Sequence, residues 1–170
     1  MNTEHTVFLG LGSNKGNSRQ ILKEAIAELT ALPQLRLLAV SSLYDTLPIG
    51  ISDQPNFLNL VAAFKCQTTP EVLLTLCQEI ETRHGRDRKS EIRNGPRTLD
   101  IDILLFEGER RSSPQLSIPH PGTFERAFVV VPMEEIMDSR VLEREFSCER
   151  LVKKLRECTC RAGVRKLGEL

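Results

Sequence analysis

An α+β fold built on one antiparallel sheet is predicted by three features of this 170-residue sequence. Short apolar runs of strand length recur, two apolar stripes of helical period lie between them, and turn residues mark the junctions. Val7–Leu11 is a buried strand that leaves the sheet through Gly10, Gly12 and Gly16, read as a permissive turn. Asn17 and Gln20 form a capping box, and Ile21, Leu22, Ala25, Ile26, Leu29 and Leu32 share one helical face until Pro33 ends it. Leu35–Tyr44 reads as a strand, followed by a loop with Pro48, Gly50, Asp53 and Pro55 and by a strand over Phe57–Cys66. Thr69-Pro70 starts a second helix, whose stripe of Val72, Leu73, Leu76, Cys77 and Ile80 runs to about His84. After a polar stretch, Thr98–Phe106 alternates Leu99, Ile101, Ile103 and Leu105 with Asp100 and Asp102, the clearest strand in the chain.

Strand, helix, strand, strand, helix, strand is the ferredoxin-like split βαβ arrangement, an antiparallel sheet flanked by helices on one face. Further helices are expected over Phe124–Met137 and Phe146–Cys158. With 40% apolar and 27% charged residues, the chain suits a single folded domain over residues 1–170, ending in a basic helical tail from about residue 138. The seven basic residues from Arg150 to Lys166, against Glu157 alone, read as a solvated helix face.

The 23 basic and 23 acidic residues cancel, so no whole-molecule field draws the chain to nucleic acid or an anionic membrane. No run approaches the roughly 20 apolar residues of a membrane helix, and Met1–Thr6 has no secretory character, so a cytoplasmic protein is expected. The five cysteines lack zinc-site spacing and are expected to be reduced.

Alternation places Asp100 and Asp102 on one face of their strand, with Cα atoms about 6.5–7 Å apart. Two adjacent carboxylates repel unless they share cations, and this spacing suits two magnesium ions clamping a polyphosphate; the plainer reading is a solvated strand face. The neighbourhood favours the first. Arg83–Arg97 holds six basic residues against Asp87 and Glu91, while Thr98–Glu109 holds four acids and no base. A basic loop feeding an acidic strand is the charge layout of a site that grips phosphates with guanidiniums and neutralises the rest through metal. The loop arginines could reorient as a lid. Gly10–Asn17 fails the dinucleotide spacing, because Lys15 replaces a glycine, and fails the Walker pattern too. His120, held between Pro119 and Pro121, is a candidate phosphate ligand or a surface turn residue. Phe57 and Phe128 could stack on a flat heterocycle or simply pack the core.

Taken together, the strings Phe8-Leu9-Gly10-Leu11-Gly12-Ser13-Asn14, Ser41-Ser42-Leu43-Tyr44, Thr46-Leu47-Pro48-Ile49-Gly50 and Gln54-Pro55-Asn56-Phe57-Leu58-Asn59 resemble a known family. So do Gly85-Arg86, Gly95-Pro96-Arg97-Thr98-Leu99-Asp100-Ile101-Asp102-Ile103-Leu104, Ile118-Pro119-His120-Pro121 and Glu125-Arg126-Ala127-Phe128. The family is 6-hydroxymethyl-7,8-dihydropterin pyrophosphokinase, of folate biosynthesis, and the resemblance covers about residues 7–137. Asn94 and Phe57 stand where another member has Trp and Tyr.

The resemblance implies an ATP-dependent diphosphotransferase that moves the β,γ-diphosphate of ATP to a pterin alcohol and releases AMP. Asp100 and Asp102 would bind two Mg2+ ions. Arg86 and Arg97 would hold phosphates, with Arg88, His120 and Arg126 facing ATP and Gln78 and Glu81 near it. The pterin would lie between Phe57 and Phe128, its polar edge paired by Asn59 and by the backbone of Thr46, Leu47, Pro48 and Ile49. The expected partners are these small molecules, with no nucleic acid and no membrane, and the chain is expected to be a monomer. Two rival readings remain at this point: a palm-type metal-dependent nucleotidyltransferase, which would release pyrophosphate, and an RNA-binding module of ferredoxin-like fold.

Overall fold

The structure, a computed structural model, describes residues 4–137, 139 and 149–170. Its elements are β1 (His5–Ser13), α1 (Ser18–Ala31), β2 (Leu35–Val40), β3 (Leu43–Thr46), β4 (Phe57–Cys66), α2 (Pro70–Arg83), β5 (Asp100–Phe106), β6 (Arg111–Ser112), β7 (Ser117–Ile118), α3 (Ala127–Met137), α4 (Glu149–Glu157) and β8 (Val164–Gly168). The main sheet runs β5-β1-β4-β3-β8, with β2 also paired to β4, and its ladders are antiparallel. Counting β2 and β3 as one interrupted strand, this is the split βαβ order, as expected.

The helix signals act as read. Asn17 caps α1 by accepting from the Gln20 N–H at 3.3 Å, although the Gln20 side chain donates to Glu24 instead of closing the capping box. Thr69 caps α2, Pro70 occupies its first turn, and the His84 N–H closes it on Ile80 O.

Four expectations are corrected. Leu35–Tyr44 is two strands, because Ser41 breaks the ladder: its hydroxyl, in place of a carbonyl, accepts the Val61 N–H at 3.0 Å, and the Ser42 N–H turns to Glu135 on α3. Gly10 and Gly12 lie inside β1 rather than in a turn, since β1 is paired on both sides, to β4 and to β5. Helices cover both sheet faces: α1 and α2 pack on Val7, Leu9, Leu60 and Phe64, while α3 and α4 pack on Phe8, Val61, Ala63 and Leu104. The basic tail is not helical throughout. It holds α4 and then β8, which pairs with β3. The helix start expected at residues 146–148, and Cys148 with it, lie outside the described residues. No described helix is long and apolar enough to cross a membrane.

Candidate active site

The α3 face of the sheet has a hole in it. Along that face β1 presents Phe8, Gly10 and Gly12, with Gly10 opposite Asp102 and Gly12 opposite Asp100 on β5, and opposite Val61 and Asn59 on β4. Two glycines in a central strand leave a floor with no side chains. A Cβ on Gly12 would sit 2.6 Å from Asn59 Oδ1, and one on Gly10 3.3 Å from Leu104. Above this floor opens a cleft walled by Thr46, Leu47, Ile49, Phe57 and Asn59 on one side and by Arg97, Asp100, Asp102, Arg126 and Phe128 on the other. Its mixture of apolar wall and convergent polar groups is that of a small-molecule site. Asn59 is buried and donates to Thr46 Oγ1 at 2.7 Å, which fixes its amide at the cleft floor.

Asp100 and Asp102 share the face that alternation demands, but their surroundings separate them. Burial pushes the Asp100 carboxyl up, yet Arg86 and Arg97 outweigh it and hold the group below the ordinary carboxylate range; Arg86 Nη1 reaches Oδ1 and Arg97 Nη1 reaches Oδ2 at 2.7 Å. Asp102 has no such pair. Burial, with Asp100 adding to it, pushes its carboxyl up to about 7. Among the described residues no group of three or more His, Cys, Asp or Glu could hold a metal. The donor set therefore fits a cation completed by phosphate oxygens and water rather than a closed protein cage, which is how Mg2+ is commonly held.

Behind Asp100, the buried Glu81 organises the arginines. It accepts from Arg86 Nη1, from Arg88 Nη2 and from the Ile101 N–H at 2.7 Å, so α2 is tied to β5 through one carboxylate. Burial drives the Glu81 carboxyl up, against the pull of those guanidiniums. Arg86 is buried among Glu81, Glu91 and Asp100 rather than free on a loop. Arg97 Nε is buried without an acceptor, a spare donor for an anion. Arg126 has no ion-pair partner among the described residues and lies 5.8 Å from the Phe128 ring centroid. His120 Nδ1 accepts the Gly122 N–H at 3.0 Å, which leaves the proton of the neutral ring on Nε2, 3.9 Å from Asp102 Oδ2. Burial, then Arg126, keeps that ring below the usual histidine range.

The structure thus gathers Thr46, Leu47, Ile49, Phe57, Asn59, Arg97, Asp100, Asp102, Arg126 and Phe128 around one cleft. Glu81, Arg86 and His120 stand directly behind or beside the carboxylates. Pro48, Gln78 and Arg88 do not line the cleft; the Gln78 carbonyl accepts from Thr82, and Arg88 pairs with Glu81 on the outer side. Sequence reasoning missed the role of Asn14 and Gln54. Asn14 donates to Gln54 Oε1 and Pro55 O and accepts the Arg97 N–H, while Gln54 Nε2 donates to Asn94 O and Ile51 O. Three loops are bonded together there; in the sequence Asn14 and Gln54 stand within the strings that carry the family resemblance, but nothing local says that they pair.

A sheet that offers carboxylates, guanidiniums and no nucleophile to one cleft is suited to phosphoryl transfer, where positioning and charge neutralisation do the chemistry. Comparison with known proteins narrows the class. Residues 8–138 match the model of the 7,8-dihydro-6-hydroxymethylpterin-pyrophosphokinase family. The chain is 44% identical over 129 residues to the 2-amino-4-hydroxy-6-hydroxymethyldihydropteridine pyrophosphokinase of Bacillus subtilis, covering 76% of each chain. It is likewise 44% identical over 146 residues to the protein of that name from Methylorubrum extorquens, covering 86% of this chain and 91% of that one. In fold it is similar to a solved HPPK-DHPS of Plasmodium falciparum, with TM-score 0.60 at 18% identity, covering 79% of this chain and 41% of that longer one. The chain belongs to the 7,8-dihydro-6-hydroxymethylpterin-pyrophosphokinase family, the pyrophosphokinases of folate biosynthesis. These matches favour neither nucleotidyl transfer nor RNA binding.

Proposed function

We propose that the cleft places the hydroxymethyl group of 6-hydroxymethyl-7,8-dihydropterin in line with the β-phosphorus of ATP. The hydroxyl oxygen forms the new bond to that phosphorus, the bond to the α,β-bridging oxygen breaks with its electrons leaving on AMP, and the hydroxyl proton passes to water. The carrying observation is the juxtaposition of the Asp100–Asp102 pair with the half-apolar wall of Phe57, Phe128, Leu47 and Ile49 across a glycine floor.

Phe57 and Phe128 supply faces for the heterocycle, and Asn59 with the backbone of Thr46, Leu47 and Ile49 reads its polar edge. Asp100 and Asp102 would hold two Mg2+ ions, which when bound would neutralise the polyphosphate and ease loss of the hydroxyl proton. The guanidiniums of Arg86 and Arg97, which neutralise Asp100 in the free protein, are then available to phosphate oxygens, and Arg97 Nε has no competing partner to give up. Arg126 and the His120 Nε2–H add donors at the cleft edge, and Glu81 keeps Arg86 aimed. Every one of these groups comes from one chain, so a monomer suffices, and sedimentation would show a dimer if it does not. The free thiols of Cys66 and Cys77 and the need for ATP suit the cytoplasm.

Phosphorus NMR of the protein with Mg2+, ATP and 6-hydroxymethyl-7,8-dihydropterin tests this reading. AMP and a pterin diphosphate in equal amounts are expected. Release of pyrophosphate instead would refute it in favour of nucleotidyl transfer.

A further inference from the structure

The matched family region ends at residue 138, but the chain places its last strand against the wall of the cleft. β3 is four residues long, and its last residue, Thr46, leads into the stretch that carries Leu47 and Ile49 in the cleft wall. Those two side chains are 64% and 56% exposed, so little packing holds them. β8 covers the other edge of β3, with Thr46 opposite Val164, Asp45 opposite Arg165 and Tyr44 opposite Lys166. The ladder continues one residue beyond the strand, where the Leu47 N–H donates to Gly163 O at 3.4 Å. Among the described residues this is the one backbone hydrogen bond from the Leu47–Gly50 stretch to another segment.

Side chains lock the same strand in place. Arg165 Nη2 meets Asp45 Oδ2 at 2.6 Å. Lys166 Nζ meets Glu135 Oε1 at 3.2 Å, and Glu135 also accepts from the Ser42 N–H, the Ser42 hydroxyl and the Tyr44 hydroxyl. Glu135 sits on α3, the helix that carries Phe128 near its start, so β3, β8 and α3 meet at one carboxylate. At the far end of β8, Arg19 of α1 donates to Glu169 O at 3.0 Å and Leu170 packs on the core. A strand anchored at both ends, with its middle along β3, is a brace for the segment β3 leads into.

We infer that β8 is a positioning element for the pterin subsite: it pre-forms the Thr46–Ile49 wall, and so sets the affinity for the flat heterocycle without touching ATP. This rests on the reading of the cleft given above. A pre-formed wall spares the bound state the ordering of that segment, and its loss weakens the ligand that uses the wall. Most of the ATP side is built on α2, β5 and the Arg86–Arg97 loop, and among the described residues no hydrogen bond or ion pair joins these to β8, whose side chains pair with Asp45 and Glu135.

The test compares the full chain with a chain ending at Arg161, with Arg165→Glu, and with the charge swap Asp45→Arg/Arg165→Glu. Pterin binding is read by its fluorescence and ATP binding by calorimetry with Mg2+. Removing β8 is expected to weaken pterin about 10-fold and the single reversal about 3-fold, with ATP affinity unchanged within about 2-fold and the swap restoring pterin affinity. Pterin affinity unchanged in every folded variant, or pterin and ATP weakened alike, overturns the inference. If the shortened chain does not fold, the point variant and its swap still decide. A full chain that binds ATP but no pterin would instead sink the reading of the cleft.

Discussion

Gly12→Ala is the sharpest perturbation of this site, because one methyl group enters the cleft floor. The new Cβ would lie 2.6 Å from Asn59 Oδ1, inside van der Waals contact, and the Asn59 amide is held by its 2.7 Å bond to Thr46 Oγ1. Either the amide swings and that buried hydrogen bond is lost, at about 1 kcal/mol, or β1 and β4 spread, at about 1–3 kcal/mol for overpacking. The smaller entropy of the unfolded alanine chain returns about 0.4–1 kcal/mol, so a net destabilisation of up to about 2.6 kcal/mol is expected, or up to about 10 °C in Tm for a chain this long. The consequence for binding is larger. If Asn59 pairs with the pterin edge as proposed, its displacement should raise the pterin KM about 10- to 100-fold and leave the KM for ATP within about 3-fold. Gly10→Ala is the control: the atoms nearest its Cβ belong to the Leu104 side chain, the first at 3.3 Å, and a shift of a few tenths of an ångström there relieves the contact. Steady-state kinetics with each substrate varied in turn, beside thermal melts, makes the measurement. Wild-type pterin KM in a Gly12→Ala protein of lowered Tm would refute the placement of Asn59 at the pterin edge.

Glu81→Ala should cost about 2–4 kcal/mol in urea unfolding, since it strands the Ile101 N–H and strips the buried Arg86 of one partner; Glu81→Gln, which keeps an acceptor, should cost less. Asp102, with its carboxyl pushed up to about 7 from an ordinary 3.8, should take up Mg2+ more tightly as pH rises through neutrality and release a proton on binding, visible as buffer-dependent calorimetric heats. In the metal-free protein the native state holds that proton between about pH 4 and 7 while the unfolded chain does not, so this group's contribution to stability falls as pH rises through the window, and Asp102→Asn should remove that slope. Tyr44→Phe deletes a charge-assisted bond to Glu135 and should cost about 1.5–3 kcal/mol; an unchanged melting curve would show that Glu135 holds β3 through Ser42 alone.

The alternation around Asp100 and Asp102 was enough to place both carboxylates on one face, because strand period is a local property of the chain. The caps at Asn17 and Thr69, the stripes of α1 and α2, and the limits of β4 were legible for the same reason: each is decided within a few neighbouring residues. The irregular, arginine-rich stretch between α2 and β5 was also readable, but not the pairing of Arg86 with Glu81 and Asp100, which joins α2 to a strand that follows it.

The order and period of the elements, the residue types at the site and, through its motifs, the family are therefore legible in the chain before it folds. Tertiary structure decided the rest, wherever a residue's state depends on a distant partner. Glycines that look like a turn become strand because β1 is paired on both sides, and their missing side chains become a binding floor only once Asp100, Asp102 and Asn59 are brought alongside. Ser41 splits a strand because Val61 offers its N–H to a hydroxyl. The charged, glycine-ended Val164–Gly168 has no strand pattern of its own, and extends only because β3 presents an open edge whose amides must be paired.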